Sequence, residues 1–353
     1  MAKPKLRRSE CASQGTFPPR STRRACGAIF GGNGMTGLSS ANRAFAAFAV
    51  IGLIAGCGGS QPPVVTSASM AQKIAIAAHG RSWMRPGTSS GTDLLYVAAR
   101  NTVVYVLTYP QGQLVGELGL PFSLNSGGIC SDGKGNIFVP DVSEILEYAH
   151  GGTKPIATLE DGDGYYEPTG CSVDSTTGDL AVTNDSVYHG NVAIYAGAQG
   201  EPTYYSDPEI RNPVFCGYDN QGNLFIDGDP FAELPKGSGS FTNFKVKHIY
   251  QLGQVQWDGT YITATSQNAN KIYRLRLSGS TGKVIGTTQL KGPGRNTTSQ
   301  SWIQGNTIIA PTGPGHANDR VGFWNYPGGG KAFTIVNLGN HADVVGATVS
   351  LGQ

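Results

Sequence analysis

Short polar stretches recur along the chain and carry most of the side chains that could do chemistry. They contain the candidate ligand-binding residues Asp141, Asn184, Asp185, Asp227, Asp229, Asn268, Asn270, His316 and Asp319. Carboxylates and amides that converge at one place could bind a hard cation such as calcium, or hydrogen-bond a sugar while tyrosines stack on it. The structural alternative is that Asp and Asn only cap turns, which they do in many proteins.

Signals for catalysis are sparse. The six histidines show no paired spacing typical of a zinc site, and no Gly-x-Ser-x-Gly elbow is present. The segment Asp161-Gly162-Asp163-Gly164 lacks the later ligands of an EF-hand. His316, in a glycine-rich stretch, is the best candidate for an acid–base residue, although such a histidine is commonly just solvated. We therefore assign no catalytic residue.

A unit of about 43 residues recurs six times and must position these polar stretches. Its clearest copy runs from Pro168 to Asp174, turns at Gly178-Asp179, and continues through Leu180–Thr183 and Val192–Tyr195. Equivalent turns occur at Gly135, Gly222, Gly259 and Gly305. Short strands with turn residues at fixed offsets, in a unit of this length, predict four-stranded blades of a six-bladed β-propeller. A β-sandwich is the alternative, but it does not require this periodicity.

The two ends of the repeat region complement each other. The first unit starts at its second strand, Asp93–Val97, whereas Val344–Ser350 reads as an inner strand with nothing after it. We infer that the C-terminal segment supplies the missing inner strand of the first blade. Such closure would remove exposed sheet edges that invite aggregation.

Pro168–Tyr195 resembles an NHL-type repeat, and residues 83–353 resemble bacterial NHL/YVTN-like six-bladed propellers. The resemblance implies the fold and leaves the function open, because propellers include hydrolases, lyases, lactonases and binding modules. Gluconolactonase-like propellers hold calcium with Glu, Asn and Asp. The inner strands here offer Asp132, Asp174 and Asp219 without a matching Glu near the first blade. We therefore do not assign the calcium site of those propellers to this chain.

The N-terminal region has the composition of an export signal. Arg43, the apolar run 44–54 and Ile54-Ala55-Gly56-Cys57 resemble a bacterial lipoprotein signal, which implies cleavage before Cys57 and lipidation of that cysteine. We expect a signal peptide at 35–56, then the lipid-anchor cysteine and a flexible tether at 57–82, and the propeller at 83–353. The expected location is the periplasmic or cell-surface side of a bacterial membrane.

Residues 1–34 contain seven Lys or Arg and one Glu. A basic tail that binds nucleic acid is one interpretation, and a true translation start at Met35 is the favoured one. Cleavage before Cys57 leaves 18 basic and 23 acidic residues, a net charge of −5. This charge gives no electrostatic signal for nucleic acid, and we expect a monomer.

Three cysteines remain beyond the anchor: Cys130, Cys171 and Cys216. Strand alternation predicts that Cys130 points to the opposite face from the other two. A Cys130–Cys171 bridge suits an oxidising compartment, and three buried thiols are the alternative.

These features favour a lipid-anchored binding or scaffold module for a protein or glycan partner, without a cofactor apart from a possible calcium ion. The alternative is a metal-dependent lactonase or lyase with its site in the central channel. A structural envelope protein without a specific ligand is a third interpretation.

Overall fold

The structure is a computed structural model that describes most of the chain after residue 81. The described ranges are 82–88, 91–100, 102–121, 128–161, 167–186, 189–247, 249, 252–266, 269–292, 300–312, 320–339 and 342–353. Cys57 and the expected leader, signal peptide and tether up to residue 81 lie outside them. The candidate residues Asn268, His316 and Asp319 also lie outside the described residues.

The described residues form 25 strands, of which the first 24 make six consecutive groups of four. The first group is β1 (Trp83–Met84), β2 (Leu94–Ala99), β3 (Val103–Thr108) and β4 (Leu114–Gly119). The second is β5 (Cys130–Ser131), β6 (Ile137–Asp141), β7 (Glu144–Tyr148) and β8 (Pro155–Glu160). The third is β9 (Glu167–Val173), β10 (Leu180–Asp185), β11 (Asn191–Tyr195) and β12 (Thr203–Tyr205).

The remaining strands follow the same order. The fourth group is β13 (Cys216–Tyr218), β14 (Leu224–Ile226), β15 (Phe231–Leu234) and β16 (Thr242–Val246). The fifth is β17 (Leu252–Trp257), β18 (Ile262–Ser266), β19 (Lys271–Ser278) and β20 (Thr281–Lys291). The sixth is β21 (Trp302–Gln304), β22 (Thr307–Thr312), β23 (Arg320–Asn325) and β24 (Gly329–Asn337), and β25 (Val344–Ser350) comes last. Within the described part the helical content is one 3-10 turn at Ala196–Ala198, and no helix there is long and apolar enough to cross a membrane.

Antiparallel pairing of neighbours in sequence builds each group into a sheet, and the first group is the exception in two ways. Its order is β1-β4-β3-β2-β25, so β1 adds an outermost strand that the repeat pattern does not predict. The C-terminal β25 pairs antiparallel with β2, from Leu94 opposite Ser350 to Ala99 opposite Val344. The long β20 also makes short parallel contacts with β16 and β24, which join the last three groups into one 12-stranded sheet.

Each group has two distinct ends. We call the end with the turn from the innermost to the second strand the turn end, and the opposite end, where the second strand leads to the third, the loop end. The turn end is capped by the aspartate that follows the inner strand. Oδ1 of Asp219 accepts hydrogen bonds from the backbone N–H groups of Gln221 (2.8 Å) and Asn223 (2.9 Å). Asp132, Asp174 and Asp258 cap their turns in the same way.

The hydrophobic core is divided into six clusters that lie between consecutive groups. Alternate residues of one strand enter different clusters: Leu94 and Tyr96 of β2 pack with the second group, while Leu95 and Val97 pack with the sixth group and β25. The middle groups repeat this arrangement, because Phe138 of β6 faces the third group and its neighbours in β6 face the first. Two-sided packing explains why every residue of β2 is buried.

Removal of residues 343–353 should abolish cooperative folding. β25 is buried along its whole length, and its loss would uncover Leu95 and Val97 and leave the edge of β2 unpaired. Each buried aliphatic side chain contributes about 1.5–3 kcal/mol, whereas a typical domain has only about 5–15 kcal/mol of stability. Thermal unfolding and size-exclusion chromatography would measure the effect. Removal of 351–353 alone is the control, and equal melting of both truncated proteins would refute this role of β25.

Candidate functional site

A cavity of about 200 Å³, which we call the inner-strand cavity, lies against the inner strands. Residues of β5, β9, β13, β17 and β21 line it, together with residues of two turn-end turns. Its polar and aromatic lining residues are Ser131, Ser172, Ser175, Tyr218, Asp219, Asn220, Gln254, Gln256, Trp257 and Trp302. None of the predicted ligand-binding residues that the structure describes is among them.

Hydrogen bonds between inner strands fix the wall of this cavity. The Gln256 side chain donates from Nε2 to the Ile303 carbonyl (2.9 Å) and accepts at Oε1 from the Ile303 N–H (2.8 Å), which joins β17 to β21. The Tyr218 N–H donates to Ser172 Oγ (3.1 Å), which joins β13 to β9.

The wall continues on the other side, where Ser131 of β5 donates from Oγ to the Val349 carbonyl of β25 (2.7 Å). Gln300, which precedes β21, forms a two-point amide contact with the backbone of Ile129 across this region. Gln300 is 1% exposed, so this contact is shielded from water. Amide and hydroxyl side chains therefore hold the inner strands at fixed spacing.

Three of the residues predicted from the sequence meet at the loop end of the third and fourth groups. Asn184 and Asp185 end β10, and Asp227 follows β14. Oδ1 of Asp227 accepts from the N–H groups of Val214 (2.8 Å) and Phe215 (2.7 Å), so this carboxylate anchors the segment that enters β13. Burial raises the pKa of Asp227 well above its usual range, and the nearby charge of Asp185 adds to the increase.

Asp185 lies between two other acids. Its Cα pairs with that of Glu167 across β9 and β10. Burial raises the pKa of Asp185, and the charge of Glu167 raises it further, although a hydrogen bond from the Ser186 backbone opposes both effects. Asn184 is 1% exposed. Its Nδ2 donates to Asn191 Oδ1 (2.9 Å), and its Oδ1 has no hydrogen-bond partner among the residues that the structure describes. We call Glu167, Asn184, Asp185 and Asp227 the loop-end acidic cluster.

The other described candidates have separate positions. Asp141 ends β6 in the second group and is 1% exposed. Asp229 is exposed, and its backbone pairs with Arg211 (Arg211 N to Asp229 O, 3.1 Å). The Asn270 carbonyl accepts from Leu290 N (2.9 Å) at the start of β19.

Cys130 and Cys171 form a disulfide between the second and third groups, with an S–S distance of 2.03 Å. Both sulfur-bearing residues belong to the core between these groups, whereas Cys216 packs into the next core, where its thiol contacts the Ala181 carbonyl. Cys130 therefore faces the following sheet, and Cys171 and Cys216 face the preceding one. Burial raises the pKa of the Cys216 thiol, which keeps it protonated.

Among the described residues, no group of three or more His, Cys, Asp or Glu is arranged to hold a metal ion. The aspartates at the turn end are engaged with the backbone of their own turns. Asp174 illustrates this: burial acts to raise its pKa, but hydrogen bonds from Thr176 and Thr177 and the charge of Lys236 at 3.6 Å together lower it below its usual value. The calcium prediction stays untested.

A site in the central channel was the alternative prediction, but the lining residues of the inner-strand cavity were not predicted from the sequence. The lining lies on inner strands that also supply core residues, such as Cys171 and Val255, and these strands were recognised only as structural units. A usable signal was present, since the fifth inner strand carries Gln254 and Gln256 where apolar residues would be expected, and the next begins with Trp302.

Comparison with known proteins identifies the fold and no family. No protein-family model matches the chain, and no curated protein matches it in sequence. A protein of unknown function from Bacteroides caccae is similar in structure, with a TM-score of 0.56 and 10% identity over 73% of this chain and 99% of that one. A chain of a nidogen/laminin complex is similar with a TM-score of 0.57 and 14% identity over 74% of this chain and 99% of that one. With the antiparallel sheets, these likenesses show a β-propeller-like all-β fold.

Asp227→Asn should flatten the pH dependence of stability. A carboxyl group whose pKa is higher in the folded than in the unfolded state binds more protons when folded, so the free energy of unfolding falls as pH rises between the two values. Asn keeps an oxygen that accepts from Val214 and Phe215 but does not titrate. Chemical denaturation from about pH 4 to 8 should show the fall in wild type and a smaller one in the variant.

Glu201→Gln, which removes one negative charge at an exposed position, is the matched control and should keep the wild-type slope. Equal slopes for wild type and Asp227→Asn would show that the buried carboxyl does not have a raised pKa.

Proposed function

We propose that this protein is a lipid-anchored, extracytoplasmic binding module that holds a protein partner at the loop end of a closed, six-bladed β-propeller. The loop-end acidic cluster carries the proposal of a partner. Separate observations support the lipid anchor, the extracytoplasmic compartment and the closure of the propeller.

Closure of six blades is supported by the cyclic order of the six core clusters. Each cluster lies between consecutive groups, and the one that contains Leu95 and Val97 also contains Ile309 and Phe323 of the sixth group. In a closed propeller the first and last blades are neighbours, so they must share a core. The pairing of β25 with β2 gives the first blade its inner strand.

An oxidising compartment is supported by the Cys130–Cys171 disulfide, since disulfides persist in exported proteins and are rare in reducing cytoplasm. This agrees with the signal-like sequence before Cys57, in which apolar residues, a cysteine and a glycine-rich tether follow each other in order.

A partner at the loop end is supported by the electrostatics of the acidic cluster. Like charges directly opposite each other on paired strands are destabilising, and Glu167 lies opposite Asp185. A lysine or arginine of a partner would relieve this repulsion and complement the acidic mature domain. The buried Oδ1 of Asn184 would gain a donor. The similar fold in a nidogen/laminin complex shows that such a domain can serve in a protein complex, which is an analogy at the level of the fold.

Cys57→Ala should release the protein from membranes. Loss of the acylated residue leaves no anchor on the mature domain, and one or more acyl chains provide the binding energy of such anchoring. Metabolic labelling with radioactive palmitate and membrane fractionation would measure the change. Ser60→Ala is the control, because Ser60 lies in the expected tether, beyond the cysteine that is expected to be acylated. Labelling that persists in Cys57→Ala would rule out this anchor.

Replacement of the opposed acids should weaken partner binding. A photo-crosslinking residue at Val142, which is 42% exposed at the loop end of the second group, should trap a protein in intact cells. Glu167→Gln/Asp185→Asn should reduce the trapped product about tenfold or more, as expected for loss of a desolvated charge pair. Trapping should also decrease at high salt.

Two controls make this test specific. A crosslinker at Ile156, which is 58% exposed on the outer strand β8, should trap no such product. Glu117→Gln/Glu201→Gln removes two charges away from the cluster and should leave trapping unchanged. An unchanged product in the acidic-cluster variant would contradict the proposed site.

A further inference from the structure

We propose that the inner-strand cavity binds one neutral sugar residue. This site is separate from the loop-end acidic cluster, and its ligand is different from the protein partner proposed above. The lining side chains, the charge and the size of the cavity each contribute to this assignment.

The lining combines aromatic surface with uncharged hydrogen-bonding groups. Trp257 and Trp302 are partly exposed in the cavity, and Trp302 donates from Nε1 to Gln304 Oε1 (3.1 Å), which fixes its indole ring. Ser172 accepts from the Tyr218 N–H and keeps its own hydroxyl hydrogen for donation. A sugar ring presents apolar C–H faces and a rim of hydroxyls, so it can use both kinds of surface.

Gln254 adds a buried polar group to this wall. It is 5% exposed and lines the cavity, and its Nε2 donates to the Val255 carbonyl (2.9 Å). The amide orientation that allows this bond leaves Oε1 as an acceptor for a ligand hydroxyl. A buried glutamine in an inner strand requires hydrogen-bond partners, and a polyhydroxy ligand would supply one.

Charge at the cavity favours a neutral ligand. Among the described residues no Lys, Arg or His lines it, so these residues offer an anion no counter-charge. Asp219 is the one acidic residue in the described part of the lining. Its carboxylate accepts from Gln221 N, Asn223 N and Asn223 Nδ2 (2.9 Å), all within its own turn. The competing possibility is an organic cation held over the tryptophans.

Size limits the ligand to one ring. The volume of about 200 Å³ lies below the roughly 300–1,000 Å³ of pockets for drug-sized molecules. The contacts of Gln256 with Ile303 and of Ser131 with Val349 hold the wall in place before any ligand arrives. A small, rigid, neutral site of this kind suits a single sugar or the terminal residue of a glycan.

Tryptophan fluorescence of the mature protein provides the test. We would titrate glucose, galactose, mannose and N-acetylglucosamine, with choline as the cation probe. At least one sugar should saturate with a dissociation constant of about 1 mM or lower, and choline should not. Trp302→Phe should weaken sugar binding about tenfold, and Ser175→Ala, at an exposed lining position that folding does not depend on, should weaken it several-fold.

Trp83→Phe, outside the cavity, and Asp185→Asn, in the loop-end acidic cluster, are the controls and should bind sugar like wild type. The Asp185→Asn control distinguishes sugar binding from partner binding, because either proposal can fail while the other holds. Saturation by choline only, saturation by none of the sugars, or sugar binding that Ser175→Ala and Trp302→Phe both leave unchanged would overturn the assignment.

Discussion

The structure depends on burial of the second strand of each group on both of its faces. Every residue of β2 is buried, and alternate side chains of this strand enter two different cores. A sheet that is apolar on both faces must have a neighbour on each side, since an uncovered face would expose several aliphatic side chains to water. The core that joins Leu95 and Val97 to Ile309 and Phe323 meets this requirement for the first and last groups. The pairing of β25 with β2 provides hydrogen-bond partners for the backbone of β2.

The repeated aspartates show how a sequence pattern can indicate chemistry while it performs a structural role. Asp132, Asp174, Asp219 and Asp258 recur because each accepts hydrogen bonds from the turn that follows its strand. Glycine with positive φ at positions such as Gly135 and Gly222 completes these turns. Because these contacts are local in sequence, the strands and turns could be predicted from the sequence. The outermost β1 could not be predicted, because it consists of only two residues, which pair with β4 of the same group. The parallel contacts of β20 could not be predicted either, because they form between groups.

The candidate sites were predictable to different degrees for a physical reason. Polar residues at the loop end stand out in a sequence because they interrupt apolar strands, and three of them, Asn184, Asp185 and Asp227, do meet in space. The N–H groups of Val214 and Phe215 hold Asp227 within the fourth group, and Thr183 of β10 donates to the Val214 carbonyl (2.7 Å), which links this segment to the third group. The inner-strand cavity is less visible, since Ser172 and Gln254 belong to strands that otherwise serve the core. Which edge of a strand faces the cavity depends on how separate groups are arranged around it, and local sequence does not encode this.

The two candidate sites differ in how tightly their surroundings constrain them. The cavity wall is held by side-chain bonds between strands that are distant in sequence, such as Gln256 with Ile303 and Ser131 with Val349. Such bonds fix the distance between neighbouring inner strands. Selectivity for a ligand in the cavity must therefore come from the lining side chains and not from closure of the site around the ligand. At the loop end, acids repel one another across β9 and β10, and the buried carboxyl of Asp227 favours its protonated form. Binding of a cationic group at that end would lower the pKa of these acids, so the affinity of the proposed partner should increase as pH rises through their raised values.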